Sequence, residues 1–172
     1  KARELSNLDF IQLKNFKDHS ERLKALRKKL HLGNDELNSQ TIAEAFERYY
    51  SRHLNSSTLS GFGGLLEDLA LGELLNREHT KMLLSYMTRM TTGEKRIKAG
   101  LGKGIVFAQK TGTQIRRICN VGIISKSNRR KKLVVAACVE KFQDQNAAER
   151  ALQKLGRSIA ESDALREDSE KN

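Results

Sequence analysis

The sequence contains no proline and no tryptophan, only two cysteines, and 6 Phe and 3 Tyr among 172 residues. Each shortage excludes something. Without proline, helix ends have to be set by Gly, Asn and Ser. With so few aromatics, the chain lacks the clustered rings on which single-stranded nucleic acids stack. The two cysteines, Cys119 and Cys138, exclude a disulfide-dense scaffold and a four-cysteine zinc site. The four histidines, His19, His31, His53 and His79, show no HExxH or other ligand spacing, so neither a metal nor a cofactor is expected. No apolar run approaches the roughly 20 residues that span a bilayer. The start does not read as a signal peptide either, because Lys1 opens directly into a polar helical pattern.

What the chain does have is positive charge. Lys and Arg outnumber Asp and Glu by 32 to 21, for a net charge of +11. A surplus of that size favours anionic surfaces. The charges are spread along the chain, however, which reads first as solvated surface and leaves a basic nucleic-acid-binding domain as a minor alternative. The densest run is KSNRRKK, 126–132. It lies between two apolar segments and reads as an exposed hairpin turn, with an anionic envelope polymer as its functional partner if it has one.

Hydrophobic periodicity gives the order of elements. Residues 20–34 carry Leu23, Leu26 and Leu30 at helical spacing, with Ser20 as the expected N-cap. Residues 39–54 repeat the form through Ile42, Ala45, Phe46, Tyr49 and Tyr50. Helical spacing returns in 58–75, which ends near Gly72, and in 76–90 through Met82, Leu83, Tyr86, Met87 and Met90. After Gly93 the period changes. Segments 104–110, 118–124 and 132–142 are rich in Val, Ile and Ala and have strand length, the last two forming an antiparallel hairpin. Residues 145–165 are helical again through Ala148, Leu152, Leu155 and Ile159. Residues 8–16 fit either a helix or a strand.

The expected fold is therefore α+β: helices, then a three-stranded antiparallel sheet, then a C-terminal helix packed on it. Three strands cannot cover themselves, so helices must pack on at least one face. Residues 1–165 are expected to form a single domain, and 166–172 a polar tail. Cys119 and Cys138 are placed symmetrically about the hairpin turn and should face each other. A cross-strand disulfide or two packed thiols would fit, and two thiols is the preferred reading.

Between the first and second strands stands AQKTGTQIRRICNVGII, 108–124. Together with TLSGFGGLLEDLALGELL, 58–75, and KKLVVAACVEK, 131–141, it resembles the C-terminal half of class A β-lactamases and their penicillin-binding DD-peptidase relatives. Leu59 stands where that family's helix usually has proline. The similarity covers about 55–162 well and 6–54 loosely. The KTG signature of the family stands here as Lys110-Thr111-Gly112, followed by Thr113.

The resemblance implies a serine hydrolase that transfers an acyl group from a peptidoglycan peptide or a β-lactam, periplasmic or secreted. Lys110 would set a positive field near the nucleophile and the substrate carboxylate. Thr111 would donate its hydroxyl to that carboxylate, Gly112 would allow close approach of the substrate, and Thr113 would offer its N–H to the oxyanion hole. Arg116 or Arg117 would add a carboxylate clamp.

The departures from the family are as informative. Its nucleophile lies in SxxK, and no serine of this chain has lysine three residues later. Its SxN signature should fall near LSNLD, 5–9. If Asn7 is the family's Asn, Leu5 has replaced the Ser. If Ser6 is the family's Ser, Leu8 has replaced the Asn. Ser6 is thus the candidate second catalytic residue and Asn7 a candidate substrate contact. Glu36 and Glu44 are the only candidates for a deacylating glutamate, and without a clear loop for it the chain leans toward a transpeptidase or carboxypeptidase. The family's SxxK portion would precede Lys1, so a missing segment, a second chain or a homodimer is the expected partner. A non-catalytic binding or scaffold protein on the same fold is the alternative.

Overall fold

In a chain without proline, polar side chains do the work of starting helices. The computed structural model describes residues 2–126 and 131–165, so most of the basic run 126–132 and the polar tail 166–172 lie outside the described residues. The chain divides into two compact units, residues 1–56 and 57–172.

In the first unit, α1 (Asn7–Asn15), α2 (His19–Lys29) and α3 (Ile42–Ser51) each begin on a side-chain cap. The ambiguous segment 8–16 is thus a helix. Ser6 and Asp9 cap α1 reciprocally: the Asp9 N–H donates to Ser6 Oγ at 3.2 Å, and the Ser6 N–H donates to Asp9 Oδ2 at 2.8 Å. The cap of α2 is Asp18 rather than Ser20, with Glu21 N–H donating to Asp18 Oδ1 at 2.9 Å. A carboxylate at that position also complements the positive end of the helix dipole. Thr41 caps α3. Lys29 ties α2 to α1 through Asp9 Oδ1 at 2.5 Å and Gln12 Oε1 at 2.9 Å.

The second unit holds α4 (Leu59–Leu71), α5 (Arg77–Thr88), α6 (Ile97–Leu101), three strands and α7 (Gln145–Glu161). Thr58 and Asn76 cap α4 and α5, and Gly72 ends α4 with φ +82°, a left-handed conformation suited to glycine. The strands β1 (Ile105–Gln114), β2 (Arg117–Lys126) and β3 (Lys132–Glu140) form an antiparallel sheet in the order β1-β2-β3. β1 does not stop before the KTG segment. It carries Lys110–Thr113 inside its last turn-ward half, in register with Val121–Ile118 of β2.

Strand alternation assigns the two faces of the sheet. Phe107, Ile118 and Ile124 pack with Ala148 and Leu152 of α7 and with Ile97 and Leu101 of α6. Ala108 and Ile123 pack on the other face with Leu66 and Leu69 of α4 and Met87 of α5. Helices thus cover both faces, and the expected α+β architecture is present. Helix α6 has no counterpart in the sequence reading. It crosses α7 where both helices carry glycine: a Cβ on Gly156 would lie 2.1 Å from Ile97 O, and one on Gly100 would lie 2.1 Å from Gln153 O. No helix among the described residues is long and apolar enough to cross a membrane.

The cysteines correct the preferred reading. Cys119 and Cys138 are directly opposed on β2 and β3 and are joined as a disulfide, not held as two thiols. Opposed residues on neighbouring antiparallel strands bring their Cβ atoms close enough for this bond.

Candidate active site

β1 lies at one edge of the sheet, and along it Lys110, Gly112 and Thr113 are exposed. The Cα atoms of Cys119 and Cys138 are 4.1 Å apart, the close spacing of a non-hydrogen-bonded antiparallel pair. The main-chain groups of Cys119 therefore turn toward Gly112 on β1. Alternation then turns the main-chain N–H and C=O of Thr113 toward the free edge of β1.

Behind this edge sits Arg96, which precedes α6 and is only 4% exposed. Its Nη1 donates to the carbonyls of Gly112 at 3.2 Å and Cys119 at 3.1 Å. Its Nη2 donates to Thr113 Oγ1 at 2.8 Å. The charge is answered by Glu149 of α7, whose Oε1 lies 3.4 Å from Nε. A buried guanidinium needs this many acceptors, and its planar fork can serve several at once. Because Thr113 Oγ1 accepts from Arg96, its own proton remains available to a ligand.

A second set of polar groups supports Thr111 and Lys110. Thr111 Oγ1 lies 2.8 Å from Thr92 Oγ1. The chain comes this close because Gly93, with φ +74°, has no side chain: a Cβ there would lie 2.4 Å from Thr111 Cγ2. Gln109 and Asn120 are fully buried and joined by Asn120 Nδ2 donating to Gln109 Oε1 at 3.0 Å. Gln109 Nε2 in turn donates to the Thr92 carbonyl at 3.3 Å. Lys110 donates its ammonium to the Thr111 carbonyl and is otherwise exposed to solvent.

The other candidates sit differently. Arg116 forms the β1–β2 turn with φ +53°, and its guanidinium donates to the carbonyls of Lys141 and Phe142, both at 3.3 Å. Arg117 pairs with Glu140 across β2 and β3 at 2.9 Å. Both arginines are thus engaged with the end of β3. Ser6 and Asn7 belong to the first unit, as the N-cap and first residue of α1. Ser6 Oγ donates to Asp9 Oδ2 at 2.6 Å. The ammonium of Lys29 and the donors of Ser6 hold the Asp9 carboxyl far below the usual carboxylate range, which makes it a poor acceptor for a serine proton. Glu36 and Glu44 each accept a backbone N–H, from Gly33 at 2.6 Å and Gln40 at 2.9 Å. Among the described residues no cluster of His, Cys, Asp and Glu could hold a metal.

Arg96, Thr92 and Glu149 are the residues that reading the sequence missed. Glu149 did carry a signal. It stands beside buried Ala148 in the amphipathic helix α7, where an acid near the buried face calls for a buried cation.

Comparison with known proteins bears on what this edge serves. A sequence model described as "Beta-lactamase enzyme family" matches residues 10–162, a span that begins after Ser6 and Asn7. Beta-lactamase 3 of Bacillus cereus is 40% identical over 58 residues, covering 34% of this chain and 18% of that protein. A solved variant of the TLA-1 extended-spectrum beta-lactamase is 24% identical with a TM-score of 0.59, covering 83% of this chain and 54% of that one. A PBP-A mutant solved as an acyl-enzyme complex with penicillin G is 21% identical with a TM-score of 0.58, covering 83% of this chain and 50% of that one. The chain thus spans about half the length of these structures and less than a fifth of the Bacillus cereus relative.

Proposed function

The chain belongs to the beta-lactamase enzyme family, and we propose that its part in that chemistry is to seat the carboxylate of an acyl donor, a peptidoglycan peptide or a β-lactam, along residues 110–113. One observation carries this reading: an exposed strand edge bearing Lys110, Thr111 and Thr113 is held from behind by the buried guanidinium of Arg96. Lys110 supplies the positive field, since the charge of Arg96 is answered by Glu149. Thr111, when it accepts from Thr92, and Thr113, which accepts from Arg96, supply hydroxyl protons to the carboxylate. Gly112 leaves room for the substrate, and the Thr113 N–H serves the oxyanion, a donor worth about 3–4 kcal/mol in the transition state. Arg96 supports the edge from behind, whereas Arg116 and Arg117, the expected carboxylate clamp, bind the end of β3.

The nucleophile is supplied by an SxxK segment outside these residues, carried by the same protein or by another chain. These 172 residues then form no acyl-enzyme by themselves, and transfer to a peptide or water requires the completed site. A disulfide between half-buried cysteines suits an oxidising compartment and supports a periplasmic or secreted location.

The test is labelling with a fluorescent penicillin. The chain alone should give no covalent band. Supplied with a polypeptide bearing the family's SxxK segment, it should give one, on that polypeptide, and Lys110→Ala should abolish it. A band on the isolated 172-residue chain overturns the reading. Partner binding that survives Lys110→Ala, with no labelling in any combination, favours a non-catalytic scaffold.

A further inference from the structure

We propose that the Cys119–Cys138 disulfide is a reversible clamp on the 110–113 edge, opened by a dithiol reductant. Gly112, Cys119 and Cys138 form one row across all three strands. A Cβ built on Gly112 would lie 3.9 Å from Cys119 Cβ, so the bridge sits directly beside the glycine. The Cys119 carbonyl shares Arg96 Nη1 with the Gly112 carbonyl. Cys119 is therefore joined to the edge by its backbone and to β3 by its sulfur. Loss of the sulfur bond removes the covalent tie to β3 from the strand on which both the edge and Arg96 rest.

The bridge is only half-buried, within reach of a small reductant. Neither cysteine is buried. On the same sheet face, the neighbouring rows hold Lys110 on one side and the Arg117–Glu140 pair on the other. The bond opens when an external thiolate attacks one of its sulfurs. In that step a thiolate of the dithiol attacks one cysteine sulfur, forming a mixed disulfide and releasing the other cysteine as a thiolate. The second thiol of the reductant then displaces the first. The chain gains two electrons and two protons, and the reductant leaves as its own disulfide.

The response should be local. The far half of β1 is anchored by Phe107 and Ala108, each buried in a different core cluster. The half beyond Gln109 has the exposed Lys110, Gly112 and Thr113 and is held by Arg96, by Thr92 through Thr111, and by the bridged row. The clamp itself stands apart from the proposed function, whereas its effect on substrate rests on that reading.

Amide hydrogen exchange on the full chain, oxidised and after dithiothreitol, tests the proposal. Reduction should speed exchange at residues 110–119 by about tenfold or more while changing 105–108 by less than about twofold, and reoxidation should restore both. The double variant Cys119→Ala, Cys138→Ala should show the fast pattern and no response to dithiothreitol. Uniform acceleration along the whole sheet, no change at 110–119, or a bridge that resists dithiothreitol in the folded chain overturns the clamp. Titration with benzylpenicillin separates the two readings. If the oxidised chain shows no contact with it, the substrate reading fails while the exchange result still decides the clamp.

Discussion

Arg96 is where the chemistry of single residues is most exposed to test. One guanidinium serves two carbonyls, a hydroxyl and a carboxylate in a site almost closed to water. Breaking a buried pair by removing one partner costs far more than the pair contributes, because the remaining charge is left without an answer. Arg96→Ala should therefore lower stability by about 3–5 kcal/mol in urea unfolding, and Glu149→Gln by less, since that amide can still accept from Arg96. Equal losses for both variants would contradict this arrangement. At this scale the sequence was legible only where the residues are contiguous. Lys110, Thr111, Gly112 and Thr113 could be read as a unit. Arg96, Thr92 and Glu149 could not, because folding brings them together from separate turns and helices.

Among the elements, caps and crossings carry the specificity. In the first unit, Asp9 caps α1 and binds Lys29 of α2. Its folded pKa is depressed, so the stability it contributes is present above the unfolded carboxylate range and is lost as pH falls through the folded value. The α1–α2 contact should loosen on acidification below about pH 4, and Asp9→Asn should flatten that acid limb in circular dichroism. An unchanged limb would contradict it. In the second unit, Gly156→Ala would drive a methyl into the backbone of α6 and should cost about 1–3 kcal/mol or more. Thermal unfolding measures this, and a neutral result would show that the crossing is not as close as described. Element order was legible from periodicity, because strands and long amphipathic helices repeat. Three features were not. Helix α6 is five residues long, too short for a period. The cap of α2 moved from Ser20 to Asp18, one of several polar residues in a row. β1 continued through Gly112 because pairing with β2 overrides the weak strand preference of glycine.

For the molecule as a whole, family and fold were both readable from the segments around Lys110. The nucleophile was not, because no serine of these 172 residues has lysine three residues later. Exposed apolar side chains on α1 (Leu8, Phe10 and Ile11) and on α4 and α5 (Leu65, Leu71, Met82 and Tyr86) are what a completing segment would be expected to cover. Addition of an SxxK-bearing polypeptide should protect these faces from hydrogen exchange, and absence of protection would count against completion in trans. At the edge itself, residues 110–113 are proposed to seat a carboxylate. The most direct test of this is a benzylpenicillin titration of the isotope-labelled chain followed by amide resonances. Shifts that saturate at Lys110–Thr113 and Arg96, and vanish in Lys110→Ala, are the predicted result. Shifts confined to other elements, or unchanged in Lys110→Ala, would contradict it.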